Sequence, residues 1–215
     1  TPQSLKASNS KPRDRRIGKA PLRLWFTPTV GQVDLAEARK LIAGAKQAIL
    51  FLMFNPGPRE TLLNQIIASA RAGSRGGRLY IRGAINQDPG TTKNPVELFD
   101  QRNREKADFS VVLPAAVDDI TGYWAKELKK LPGTFAMVHS KVVLIDPFGE
   151  HPVLITGSHN LGPKASGKND ENMLVIRDAP NLAAAYATNI MAIYNQYRWR
   201  FRRGTQPKSK QWKGL

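Results

Sequence analysis

The stretch "AILFLMF" at 48–54 leaves this chain few ways to fold. It is far too short to cross a bilayer. It is also too uniformly apolar for a strand with one wet face, in which polar residues would alternate with apolar ones. What remains is a strand buried on both faces, as in a sheet sandwiched between helices.

The surrounding segments supply such helices. "DLAEARKLIAGAKQ" (34–47) places Leu35, Leu41, Ile42 and Ala45 on one helical face, and Asp34 with Glu37 three residues on reads as a capping box at its start. "ETLLNQIIASARAG" (60–73) predicts a second helix ended by Gly73. Strands are expected over 21–28 and 77–85, a loop over 86–95, a short strand over 108–114 and a helix over 118–131. Three further strands, 136–146, 152–160 and 172–178, precede a long helix over 181–201. This order predicts an α/β domain, a mixed β-sheet flanked by helices on both faces. At 215 residues and 41% hydrophobic, the chain suits one domain with a sizeable core.

The net charge of +16 is concentrated at the ends. Residues 1–20 carry six Lys/Arg against one Asp, and 198–215 carry seven Lys/Arg and no acid. The expected organisation is therefore a basic linker (1–20), a domain (21–203) and a basic tail (204–215). Such ends attract phosphate polyanions through a salt-dependent, largely unspecific force. Tyr194, Tyr197, Trp199 and Phe201 interleave with arginines in "YNQYRWRFRR" (194–203), a pattern of single-strand nucleic-acid surfaces and equally of a helix packing its aromatics on a sheet. No cysteine is present, so disulfides and thiolate metal sites are excluded. No signal or transmembrane segment is visible in the chain, which is expected to be soluble, with its compartment left open. Because it begins at Thr1 rather than Met, it is expected to be part of something longer.

Chemistry enters in "VHSKVVLID" (138–146), an apolar strand pattern interrupted by His139 and Lys141. Side chains two apart on a strand share a face, so the imidazole and ammonium should project together. A buried ammonium without a partner is costly, so that face calls for an anion. Downstream, "TGSHN" (156–160) sets Ser158 and Asn160 two apart, behind a Gly157 suited to close backbone approach to a ligand. Their hydroxyl and amide donors suit a phosphate oxygen. "KNDENML" (168–174) brings Glu171 to the mouth of the next strand, where its carboxylate could accept an imidazole N–H. His151 reads as a turn residue, and His159 should point away from Ser158 and Asn160. Neither an HExxH pattern nor a carboxylate cluster suited to divalent ions occurs, and no metal or other cofactor is expected.

His139-x-Lys141-x4-Asp146, then Gly157-Ser158-x-Asn160 and Glu171, resembles the HKD signature of the phospholipase D superfamily. The likeness extends more loosely back to about residue 22 and covers one half-domain of that family, here expected to be the C-terminal repeat. The resemblance implies a metal-independent phosphodiester hydrolase working through a phosphohistidine. His139 would attack phosphorus or protonate the leaving oxygen. Lys141 and Asn160 would hold the non-bridging oxygens, Ser158 would add a hydrogen bond and Glu171 would orient the imidazole. Asp146, of opposite parity to His139 along the strand, is assigned to structure, as is Gly157.

The charge favours nucleic acid as substrate. The alternative is a phospholipase D or transphosphatidylase acting on lipid headgroups, in which case the protein would also contact membrane. A non-catalytic half-domain used for binding is the third reading, and the intact His139, Lys141, Asn160 and Glu171 set argues against it. The family uses two HKD halves, whereas this chain has one "HSK". The second is expected from an upstream segment of the same protein, which the basic leader favours, or from a homodimer mate.

Overall fold

The computed structural model describes residues 1–72, 79–98, 100, 108–114 and 138–205. Helix α1 (Gln3–Asn9) leads into strands β1 (Arg13–Ile17) and β2 (Ala20–Phe26). Helix α2 (Val33–Ala43), strand β3 (Ala48–Met53), helix α3 (Leu62–Ala72) and strands β4 (Tyr80–Ile85) and β5 (Phe109–Val112) follow. Then come β6 (Lys141–Ile145), β7 (Val153–Gly157), the short helix α4 (Pro163–Gly167), β8 (Asn172–Arg177) and the long helix α5 (Pro180–Thr205).

The strands form one eight-stranded sheet, ordered β1-β2-β8-β7-β6-β3-β4-β5. Pairing is parallel for β3–β4 and β4–β5 and antiparallel elsewhere, so the sheet is mixed as expected. Strand β3 is buried on both faces: Ile49, Phe51 and Met53 pack with α2 and α3, and Leu50 and Leu52 pack with α5. The "VVLI" run of β6 divides in the same way, with Val143 and Ile145 toward α2 and α3 and Val142 and Leu144 toward α5.

Three expectations change. Residues 1–20, read as a basic linker, contain α1 and β1, and β1 is the edge of the sheet. Its "RDRRI" sequence buries little, so it carries no hydrophobic signal; what holds it is the ladder to β2 and a two-pronged cross-strand pair, Arg23 to Asp14, at 2.7 and 3.0 Å. Charged side chains are what an edge strand tolerates best. The capping box does not form either. The N-cap of α2 is Gln32, Asp34 is buried within the first turn, and Glu37 accepts from Arg23, Trp25 and Arg177. Third, the strands expected over 136–146 and 152–160 are shorter. Strand β6 starts at Lys141 and β7 ends at Gly157, which leaves His139, Ser158 and Asn160 on irregular backbone beyond the sheet. The helix expected over 118–131, and 206–215 of the expected tail, lie outside the described residues.

Candidate active site

Antiparallel pairing brings the start of β6, the end of β7 and the start of β8 to the same end of the sheet, beside the end of β3. Met53 pairs with Lys141, Val142 with Thr156, and Gly157 with Met173. A cleft of about 650 Å³ opens there, and His139, Lys141, Ser158, Asn160 and Glu171 all line it. Helix α5 closes one side with Tyr186 and Asn189.

His139 is exposed, and Lys141 is only 8% exposed. The Lys141 Nζ donates to the His139 carbonyl at 2.6 Å and lies 3.0 and 3.1 Å from its Nδ1 and Nε2. The two side chains therefore meet because the chain before β6 folds the imidazole back over the ammonium, not through strand alternation. An ammonium has only protons to give, so the ring nitrogen it meets acts as acceptor. Burial pushes the Lys141 ammonium below the ordinary lysine range, and the Glu171 carboxylate pulls it part of the way back. Among the described residues Lys141 forms no ion pair.

Ser158 is fixed from behind, its Oγ accepting from the Asn172 N–H at 3.0 Å, which leaves its own proton to donate into the cleft. Half-buried Asn160 keeps a buried Oδ1 without a partner among the described residues. Glu171 Oε1 accepts from Asn169 Nδ2 at 3.2 Å, and its backbone is held on both sides by Thr27. In this arrangement no hydrogen bond joins Glu171 to His139 among the described residues; its carboxylate acts on Lys141 through space. Gly157 lines the cleft and also lets the adjacent strand approach closely. At φ +134° it is in the glycine-favouring region, and a Cβ would lie 2.4 Å from the Asn172 carbonyl oxygen of the adjacent strand.

The site residues were expected to include Asp146 as a structural member, and it sits at the opposite end of the sheet from the cleft. Its carboxylate accepts from the backbone N–H groups of Lys46, Gln47 and Ala48, and so caps the entry to β3. The chain has three histidines. His151 is exposed on the far turn beside Asp178, at 3.0 Å. His159 is fully buried beside Asp34, so His139 alone brings an imidazole to the cleft. Among the described residues no group of three or more His, Asp or Glu side chains is arranged to hold a metal ion.

The family described as "Cardiolipin synthase, PLD-like domain" matches residues 38–194, a span that contains the whole cleft motif. The chain belongs to the phospholipase D-like family. No curated protein sequence matches it. Among solved structures it is similar to Nuc, a phospholipase D family member from Salmonella typhimurium. That likeness has 18% identity and TM-score 0.53, over 85% of this chain and 96% of Nuc. It is similar also to NucT from Helicobacter pylori, with 15% identity and TM-score 0.48 over 83% of this chain and 98% of that one. A third is phosphatidylserine synthase from Haemophilus influenzae, with 13% identity and TM-score 0.44 over 83% of this chain and 39% of that one. At these identities the likeness is one of fold, and Nuc shares the α/β architecture described above.

Several residues in or against the cleft carry no signal in the sequence of this phospholipase D-like chain. The Phe54 ring lies 4.4 Å from the His139 ring, and the Lys141 ammonium sits 4.9 Å above it. In sequence Phe54 is simply the last residue of an apolar run. Tyr186 and Asn189 lie three apart on α5, a spacing that marks a shared helix face but not what the face meets. At the distal end of α5, Tyr194 packs on the sheet and donates to Ser110 Oγ at 2.7 Å, whereas Trp199 is 57% exposed. The aromatic–arginine segment is thus divided between packing and surface.

Proposed function

We propose that the protein is a phosphodiesterase in which His139 attacks phosphorus. The observation that carries this reading is the buried Lys141 ammonium, which forms no ion pair among the described residues, meets the exposed His139 imidazole and lines one cleft with the Ser158 and Asn160 side chains. A phosphate in the cleft supplies the missing negative charge. As the imidazole nitrogen bonds to phosphorus, the P–O bond to the leaving group breaks and charge accumulates on the non-bridging oxygens. Lys141, Asn160 and Ser158 then stabilise that charge, and Glu171 draws the imidazolium proton once the ring turns toward it. Water attacks the phosphohistidine in the second step and regenerates the imidazole. None of these steps uses a metal ion.

Protonation of an alkoxide leaving group needs a second acid on the far side of phosphorus. His151 and His159 are both turned away from the cleft, so this group comes from a second HKD half: an upstream segment of the same protein or a second copy of this chain. Light scattering read with the hydrolysis rate separates the two. An active dimer of this chain supports the second copy, and inactivity of the isolated chain supports the upstream segment.

The net charge of +16 favours nucleic acid as substrate. Among the described residues no helix is long and apolar enough to cross a membrane. The lipid reading is kept because the matching family is described by a cardiolipin synthase. Parallel assays on single-stranded DNA, phosphatidylcholine vesicles and bis-p-nitrophenyl phosphate decide between them. With the second half present, the reading predicts turnover of the first and third substrates, abolished by His139→Ala. Turnover confined to phosphatidylcholine would move the substrate to lipid, and unchanged activity in His139→Ala would remove the mechanism.

A further inference from the structure

Behind the cleft lies a buried polar cluster that takes no part in the chemistry above. Asp34, in the first turn of α2, has no exposure, and neither do His159 and Ser166. Its carboxylate accepts from Thr29 Oγ1 at 2.7 Å and from Ser166 Oγ, and lies 3.1 Å from His159 Nε2. The His159 ring is polarised from its other side: the Leu161 N–H donates to Nδ1 at 2.8 Å. A backbone N–H can only donate, so Nδ1 is unprotonated and the ring proton is on Nε2, facing Asp34.

Two of the partners of Asp34, His159 and Ser166, belong to segments that present cleft residues. His159 lies between Ser158 and Asn160, and its bond to Leu161 braces that residue at φ +59°, a conformation non-glycine residues rarely adopt. Ser166 begins the run that ends in Glu171. The Ser166 carbonyl accepts from the Thr29 N–H at 2.8 Å, and Thr27 Oγ1 donates to the Asn169 carbonyl at 2.8 Å. Burial alone would raise the Asp34 carboxyl, but the His159 ring 3.1 Å away and the hydrogen bonds from Ser166 and Thr29 outweigh it and hold the group below the usual carboxylate range; Asp34 Oδ2 and His159 Nε2 face each other without an aligned hydrogen bond in this arrangement. The two bonds to Oδ1 tie the buried charge to Thr29 and Ser166, the His159 ring lies against the other oxygen, and losing the carboxylate leaves those buried donors unmet at once.

We propose that Asp34 is a positioning residue for the phosphate site, whose carboxylate locks, through His159 and Ser166, the two loops that present Ser158, Asn160 and Glu171. This rests on the phosphodiesterase reading of the cleft. Asp34 touches no substrate; it sets the distance between the donors that do. The turn at 158–161 has no regular secondary structure of its own to hold Asn160 in place, so the anchor does this instead.

The test uses the full 215-residue chain, tungstate as a phosphate mimic, and nitrogen-15 histidine NMR. The wild type should show His159 as the Nε2–H tautomer. Asp34→Asn should weaken tungstate binding about tenfold, equivalent to about 1.4 kcal/mol, with the circular dichroism spectrum unchanged. Ser166→Ala, a milder cut in the same cluster, should weaken it about threefold and keeps the test open if Asp34→Asn does not fold. Ile81→Val, a buried core change in β4, serves as a control for stability loss and should bind tungstate as wild type does. Folded Asp34→Asn or Ser166→Ala that binds like wild type, or a His159 ring protonated on Nδ1, would overturn the proposal and leave the cleft assignment intact. A wild type that fails to bind tungstate would instead overturn the phosphate reading itself.

Discussion

Replacing Lys141 by Met should make the protein more stable and inactive. Burying an ion costs several kcal/mol after relaxation, here taken as roughly 5 kcal/mol. The ammonium recovers part of this by donating to the His139 carbonyl at 2.6 Å and to a ring nitrogen at 3.0 Å. At about 2 kcal/mol each for bonds to a charged group, about 1 kcal/mol of net cost remains. Met keeps the length and the contact with Phe54 without the charge. Thermal unfolding at neutral pH should therefore show a Tm higher by about 2–4 °C for a chain of this size. The sign with pH is specific. The folded-state pKa of Lys141 lies below the ordinary lysine value, so the unfolded chain holds more protons between the two values. The wild type thus gains stability as pH rises through that window, and its deficit against Lys141→Met closes. Tungstate should stabilise the wild type and not the variant. A Lys141→Met protein that is less stable at neutral pH, with a difference from wild type that does not change at alkaline pH, would refute the argument that burying this ammonium costs the fold stability.

Gly157→Ala should destabilise by roughly 2–4 kcal/mol, because its Cβ meets the Asn172 carbonyl at 2.4 Å and the residue is at φ +134°; denaturant unfolding reads the loss, and a neutral substitution would contradict the tight β7–β8 approach. Asp146→Ala, which removes an acceptor for three backbone N–H groups, should cost about 2–3 kcal/mol while the folded fraction keeps wild-type kcat, so a selective loss of kcat would return Asp146 to the site. Hydrolysis of bis-p-nitrophenyl phosphate should persist in excess EDTA, and activity lost in chelator and restored by Mg²⁺ or Zn²⁺ would place the protein in another mechanistic class.

What could be read from the sequence, and what could not, follows from how local each cause is. Strand β3 was legible because its burial on both faces shows as an unbroken apolar run. The cleft motif was legible because ammonium and imidazole are rare beside such a run, and because the residues flanking the start of β6 and the end of β7 reach the same end of the sheet. Strand β1 was not, since "RDRRI" owes its place to backbone pairing and the Arg23–Asp14 pair, neither of which leaves an apolar pattern. Asp34 and Glu37 satisfy a local capping rule in sequence, yet both are claimed by distant partners, His159 in one case and Arg177 in the other. Phe54 reaches His139 and Lys141, and Tyr186 and Asn189 reach the cleft, through tertiary contacts alone. The expectation that His139 lies within the strand failed because regular pairing starts only at Lys141, opposite Met53.

The central claim is that His139 becomes covalently bonded to phosphorus. Bis-p-nitrophenyl phosphate tests it on this chain alone, because nitrophenolate is stable enough to depart without a second acid from another half. Mixing the two, quenching in alkali to preserve the phosphorus–nitrogen bond, and mapping peptides by mass spectrometry should show a nitrophenyl-phosphoryl group on the His139 peptide. The His139→Ala chain should carry none. Nitrophenolate released by the wild type with no adduct on His139, and released equally by His139→Ala, would contradict the account.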